Sequence, residues 1–119
     1  MLSSERTPGD LERLVLVAKA LADPVRLEML ERLSQGRSCC DLAPSSSLGI
    51  PGAEEPEGIC VCEFQEQLGV GQSKVSYHLH ALKGAGLIDK DARGKWTFYS
   101  LKKTASSDAL RALHDRLEQ

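Results

Sequence analysis

Two runs with helical spacing of apolar residues, one from Cys62 to Leu68 and one carrying Val75, Leu79 and Leu82 on a single face, are separated only by Gly69-Val70-Gly71. Three residues with two glycines do not continue a helix, and they are too few for the chain to wander, so the two helices must meet at a sharp angle. Helix, glycine-containing turn, helix is the pattern of a helix-turn-helix. The second helix is predicted to stop at Gly84 to Gly86. Behind it, Leu87 to Asp91 and Lys95 to Leu101 are rich in β-formers and joined by Ala92-Arg93-Gly94, which reads as a hairpin with a basic tip. A hairpin in that place is a wing.

Ahead of this unit, Leu11, Leu14, Val15, Ala18 and Leu21 recur at helical spacing behind Asp10, a candidate cap, and Asp23-Pro24 interrupts them by cap and ring geometry. Val25, Leu27, Leu30 and Leu33 form a second helix ending near Gly36. Residues 41–58 hold three prolines, three glycines and Ser45-Ser46-Ser47, a composition that supports neither helix nor strand, so this is a loop or mobile insert with cysteines at both borders. Leu110, Leu113 and Leu117 mark a last amphipathic helix. With 119 residues and five aromatics, the chain is one domain's worth around an aliphatic core. The expected fold class is mainly α with a small β-hairpin, a winged helix-turn-helix over 1–119. Its parts are helices over 10–35, the insert over 37–59, the helix-turn-helix over 60–86, the wing over 87–101 and the last helix over 105–118.

The net charge of -2 conceals an asymmetry: residues 1–69 sum to -6, residues 70–103 to +5, and the remainder to -1. A basic third on an acidic protein suits a local phosphate-binding surface, although a solvated charged face has the same composition. No apolar run approaches the roughly 18 residues of a membrane span. Met1 to Asp10 lacks the apolar centre of a signal peptide, so a cytoplasmic protein is expected. Thiols there stay reduced, and Cys39, Cys40, Cys60 and Cys62 read as metal ligands or redox-active groups rather than structural disulfides.

The chain resembles the ArsR/SmtB winged-helix transcriptional repressors, cytoplasmic metal sensors of bacteria and archaea. The likeness rests on Lys19-Ala20-Leu21-Ala22-Asp23-Pro24-Val25-Arg26-Leu27, on Cys60-Val61-Cys62-Glu63-Phe64, on Gln72-Ser73-Lys74-Val75-Ser76-Tyr77-His78-Leu79 and on Gly94-Lys95-Trp96, in the family's order over about residues 10–101. The Cys-Val-Cys stretch is the narrower signal and resembles the arsenic, antimony, cadmium or lead branch. About twenty residues are inserted before it, where the family's link is short. The resemblance implies a homodimer on an inverted repeat of double-stranded operator DNA. Leu11, Leu14 and Leu21 with Leu110, Leu113 and Leu117 would supply its apolar stripes, which could equally be intramolecular core.

With Val75, Leu79 and Leu82 turned inward, 100° per residue sets Ser73, Tyr77 and His80 opposite them and Lys74 and Ser76 at the sides. Gln72 stands at the entrance, free for a base or a phosphate. His78, the family's usual histidine, falls near the core edge, where packing, phosphate contact and base reading are all open. Arg93 and Lys95 suit the neighbouring groove or backbone.

Soft thiolates select Zn(II), Cd(II), Pb(II), Cu(I) or trivalent arsenic and antimony. Folding the insert back brings four sulfurs together. As(III) or Sb(III) needs three, taken first from Cys60 and Cys62 and then from Cys39 or Cys40, within the chain or across the dimer. In the arsenic sensors with Cys-Val-Cys a third cysteine often follows at the position held here by Gln65. All four together suit tetrahedral Cd(II), Pb(II) or Zn(II). The family's other metal site, on the last helix, is incomplete: Asp108-Ala109-Leu110 lacks its histidine, and His114 with Glu118 is half a site.

The expected function is therefore a repressor released from DNA when As(III) or Sb(III) binds cysteine thiolates. Rivals are a Cd(II)/Pb(II)/Zn(II)-responsive repressor with a four-cysteine site, a thiol redox-sensing repressor pairing Cys39 or Cys40 with Cys60 or Cys62, and a DNA-binding protein whose cysteines are incidental. An enzyme is not expected. The residues six after each cysteine are Ser45, Ser46, Glu66 and Leu68, none the arginine of a Cys-x5-Arg loop, and there is no Cys-x-x-Cys.

Overall fold

The computed structural model describes residues 8–36 and 58–118. The chain runs α1 (Pro8–Leu21), α2 (Pro24–Gln35), β1 (Ile59–Cys60), α3 (Val61–Leu68), α4 (Gln72–Gly84), β2 (Ile88–Arg93), β3 (Trp96–Leu101) and α5 (Lys103–Leu117). The insert expected over 37–59 lies outside the described residues up to position 57, and Cys39 and Cys40 with it.

Each helix boundary has a local cause. Asp23 ends α1 and starts α2, its Oδ1 accepting from the N–H of Val25 at 2.8 Å and of Arg26 at 3.3 Å, with Pro24 in the first helical position. Gly69, left-handed at φ 67, closes α3, and Gly71 opens α4. At the far end of α4 the Gly86 N–H reaches the Lys83 carbonyl and the Leu87 N–H the Leu82 carbonyl, with Gly86 at φ 77. Those paired bonds are a Schellman stop, which turns the chain directly into the hairpin.

The core is aliphatic, with Val17, Met29, Leu33, Ile59, Phe64, Val75, Leu79, Leu82, Leu87 and Ile88 in one buried cluster. Val75, Leu79 and Leu82 all point inward, as their spacing predicts. A second, smaller cluster joins Cys60 and Phe98, with Trp96 packed against it.

Several expectations are corrected. Asp10 lies inside α1, which starts at Pro8, and so does not cap it. On α2 the inward face carries Met29 and Leu33, with Val25 and Leu30 half-buried, while Leu27 is exposed. The hairpin turns at Gly94-Lys95, because Arg93 pairs with Trp96 across the ladder. The sheet also has a third strand: β1 pairs antiparallel with β3, Ile59 opposite Tyr99 and Cys60 opposite Phe98, giving the order β1-β3-β2. The stripes of α1 and α5 are split. Leu14, Leu21 and Leu113 are half-buried, whereas Leu11, Leu110 and Leu117, with Val15 and Leu16, face outward.

Candidate functional site

Cys60 is the last residue of β1 and the N-cap of α3, so one residue belongs to the sheet and to the helix that supports α4. Its backbone N–H donates to Oε1 of the buried Glu63 at 3.0 Å, the half of a capping box that holds the first turn. One turn of chain brings the sulfurs of Cys60 and Cys62 to 2.9 Å, both as free thiols, the first buried and the second exposed. Burial above all, then the Cys62 hydrogen bond and the adjacent Glu63 carboxylate, push the Cys60 thiol up to about 12. Cys60 therefore keeps its proton in this state. The pair suits a thiophilic ion: two soft donors within bridging distance, one of them open to solvent.

The sulfurs border a pocket of about 500 Å³ lined by Cys60, Val61, Cys62, Gln65, Gln72, Lys95, Trp96 and Thr97. Three elements meet there: the start of α3, the start of α4 and the turn of the wing. Gln65 faces this space, as does Gln72.

On α4 the residues Gln72, Ser73, Lys74, Ser76, Tyr77 and His80 are exposed along one side, opposite the core face. His78 differs, at 3% exposure. Its Nδ1 accepts from Nε of Arg26 at 3.0 Å, so the ring packs beneath the face instead of standing on it. Arg26 also donates through Nη1 to the Lys19 carbonyl at 3.1 Å, and its guanidinium lies 5.5 Å from the Tyr77 ring centre. Lys95 is exposed in the wing turn. Arg93 is half-buried and bonded to Asp91 Oδ2 at 2.9 Å, which partly neutralises the tip expected to be basic.

Arg26, Glu63 and Trp96 are the site residues that sequence reasoning missed. Glu63 stands three residues after the cap, a spacing that signals a capping box; the other two depend on partners distant in the chain.

The arsR family of bacterial regulatory proteins matches residues 54–90. The arsenical resistance operon repressor of Bacillus subtilis (strain 168) is 38% identical over 84 residues, 70% of this chain and 60% of that protein. An uncharacterized HTH-type transcriptional regulator of the same organism, YbzH, is 32% identical over 89 residues, 75% of this chain and 83% of that protein. The chain belongs to the arsR family. This ArsR-family chain spans three fifths of the arsenical repressor's length. Its fold matches the homodimeric winged helix-turn-helix DNA-binding domain of Mb0332 from Mycobacterium bovis, with TM-score 0.60, 20% identity and coverage of 91% of this chain and 81% of that one. Members are regulators and not enzymes. No helix among the described residues is long and apolar enough to cross a membrane.

Proposed function

We propose that this chain is a cytoplasmic transcriptional repressor that binds an inverted repeat of double-stranded operator DNA as a homodimer and releases it when its thiolates take up As(III) or Sb(III). The carrying observation is the Cys60–Cys62 sulfur pair at the N-terminus of the helix on which α4 rests. Likeness to an arsenical resistance repressor supports the choice of ligand.

In this reading α4 enters the major groove with Gln72, Ser73, Lys74, Ser76, Tyr77 and His80, and Lys95 reaches the backbone. His78 and Arg93 support that face from behind. Leu11, Leu110 and Leu117 meet their counterparts in the partner. Cys39 or Cys40 adds the third sulfur. A trivalent metalloid hydroxide such as arsenite would exchange each hydroxyl for a cysteine sulfur, the thiol proton leaving with that hydroxyl as water. Cys60 would give up its proton and its hydrogen bond with Cys62, and because its backbone is held by Glu63 at the cap of α3, re-aiming the residue would loosen the first turn of α3. Phe64 and Leu68 of α3 pack in the cluster that holds Val75 and Leu79, so the two reading heads lose their spacing. By linkage, DNA weakens ligand binding by the same factor, about 5- to 150-fold.

The test is titration of operator-bound, reduced protein with arsenite, antimonite, Cd(II), Pb(II) and Zn(II) while reading DNA release. Arsenite or antimonite should release wild type but not Cys60→Ser/Cys62→Ser. Release that persists in the double variant refutes the reading, and release by Cd(II), Pb(II) or Zn(II) alone replaces it with a site of four cysteine sulfurs.

A further inference from the structure

The thiol pair is built into the wing as well as into α3. Cys60 faces Phe98 across the β1–β3 ladder and forms one buried cluster with it, and Trp96, two residues before Phe98 on the same face of β3, packs against that cluster. Trp96 is also half of the pair that closes the wing turn, opposite Arg93, with only Gly94 and Lys95 between them. A single residue therefore packs against the Cys60–Phe98 cluster and sets the base of the wing tip.

The pocket beside the sulfurs has the same double character. Its walls include Cys60 and Cys62 and also Gln72 at the head of α4, Lys95 at the tip, and Trp96 and Thr97 of β3. Material added on the pocket side of the sulfurs lies between the head of α4 and the wing. The strand side is already close: a β-carbon at Gly58, one residue before β1, would fall inside the Tyr99 carbonyl, so the backbones approach closely there. On the other side stand the half-buried Trp96 and the turn attached to it, with Gly94 at positive φ.

We propose that Trp96 is a positioning residue through which occupancy of the Cys60–Cys62 pair displaces the wing turn, so that Lys95 loses its placement relative to Gln72. The route runs through β3 and is separate from loosening of α3. It rests on the reading of the cysteine pair as the inducer site.

Trp96 is the sole tryptophan of the chain, which gives a direct readout. Reduced, DNA-free protein is titrated with arsenite while thiol occupancy is followed by intact mass and Trp96 by its emission. Emission should shift in step with occupancy in wild type and stay constant in Cys60→Ser/Cys62→Ser. Operator affinity is then measured with and without arsenite for wild type, Trp96→Ala and Trp96→Phe. Wild type should lose at least about tenfold in affinity. At thiol occupancy matched by intact mass, Trp96→Ala should lose less than about threefold, and Trp96→Phe, which keeps a ring against the Cys60–Phe98 cluster, should retain most of the wild-type loss. Should Trp96→Ala not fold, emission and Trp96→Phe decide the matter. Occupied thiols and operator release with unchanged Trp96 emission, or full coupling in Trp96→Ala, overturn the proposal and leave the sensor reading standing. Thiols that take up no arsenite overturn both.

Discussion

The Nε–H of Arg26 on α2 donates to Nδ1 of His78 on α4 at 3.0 Å, and the same guanidinium bonds the last turn of α1 and covers the ring of Tyr77. One side chain thus ties two support helices to the exposed face of α4. Arg26→Ala should lower unfolding free energy by about 1–3 kcal/mol and weaken operator binding beyond that, since Tyr77 loses its neighbour. Arg26→Lys should recover little of either, because an ammonium lacks the planar fork that makes three contacts at once. Urea denaturation with operator titration reads both effects, and a lysine variant equal to wild type would show that charge alone suffices.

That bond requires a neutral imidazole with its proton on Nε2, a buried atom with no hydrogen-bond partner among the described residues. Burial chiefly, with the charges of Arg26 and Lys74 against the opposing pull of Asp23, holds the His78 pKa below its ordinary 6.5. The unfolded chain therefore takes a proton that the folded chain refuses. The stabilisation is complete above about 6.5 and is lost as pH falls from there through the lower folded value, at up to about 1.4 kcal/mol per pH unit. His78→Gln, which keeps an acceptor for Arg26, should flatten that slope between pH 7.5 and 5. Equal slopes in urea melts would remove His78 as the titrating group.

The two described thiols should differ in reactivity. Cys62 is exposed, whereas Cys60 is buried and keeps its proton far above neutral pH. Iodoacetamide at pH 7.5 should label Cys62 at least about tenfold faster than Cys60, as resolved by peptide mass mapping. Comparable rates would mean that the pair opens readily.

Leu110 and Leu117 on α5 are 52% and 77% exposed, and Leu11 on α1 is 50% exposed. Leu110→Glu and Leu117→Glu should leave circular dichroism unchanged, convert a dimer to a monomer in sedimentation velocity, and reduce operator affinity with it. A dimer that survives both changes would place the interface elsewhere.

The helix-turn-helix and wing were legible because their signals are local. Gly69 and Gly71 fix the turn between α3 and α4 and Gly86 the turn into the hairpin, and Val75, Leu79 and Leu82 mark one face of α4 by spacing alone. β1 was not, since two residues become a strand only by having β3 beside them. The place of Trp96 was hidden for the same reason: the cluster it packs against includes Cys60, 36 positions away, brought there by the sheet. The apolar spacing of α2 includes the exposed Leu27 and leaves out the buried Met29, because the pattern admits two faces and contact with α1 and α4 selects between them. On the site, Gln72, Ser73, Lys74, Ser76, Tyr77 and His80 stand where a helical wheel puts them, while His78 goes beneath the surface to meet an arginine 52 positions earlier.

Gly58 sets the point at which the chain enters the thiol strand, and it does so by steric exclusion, since nothing larger than hydrogen fits against Tyr99. Any side chain there would push against the Tyr99 backbone two residues ahead of the Cys60 sulfur. A designer who wished to graft a different ligand-bearing loop ahead of Cys60 would have a single letter to keep.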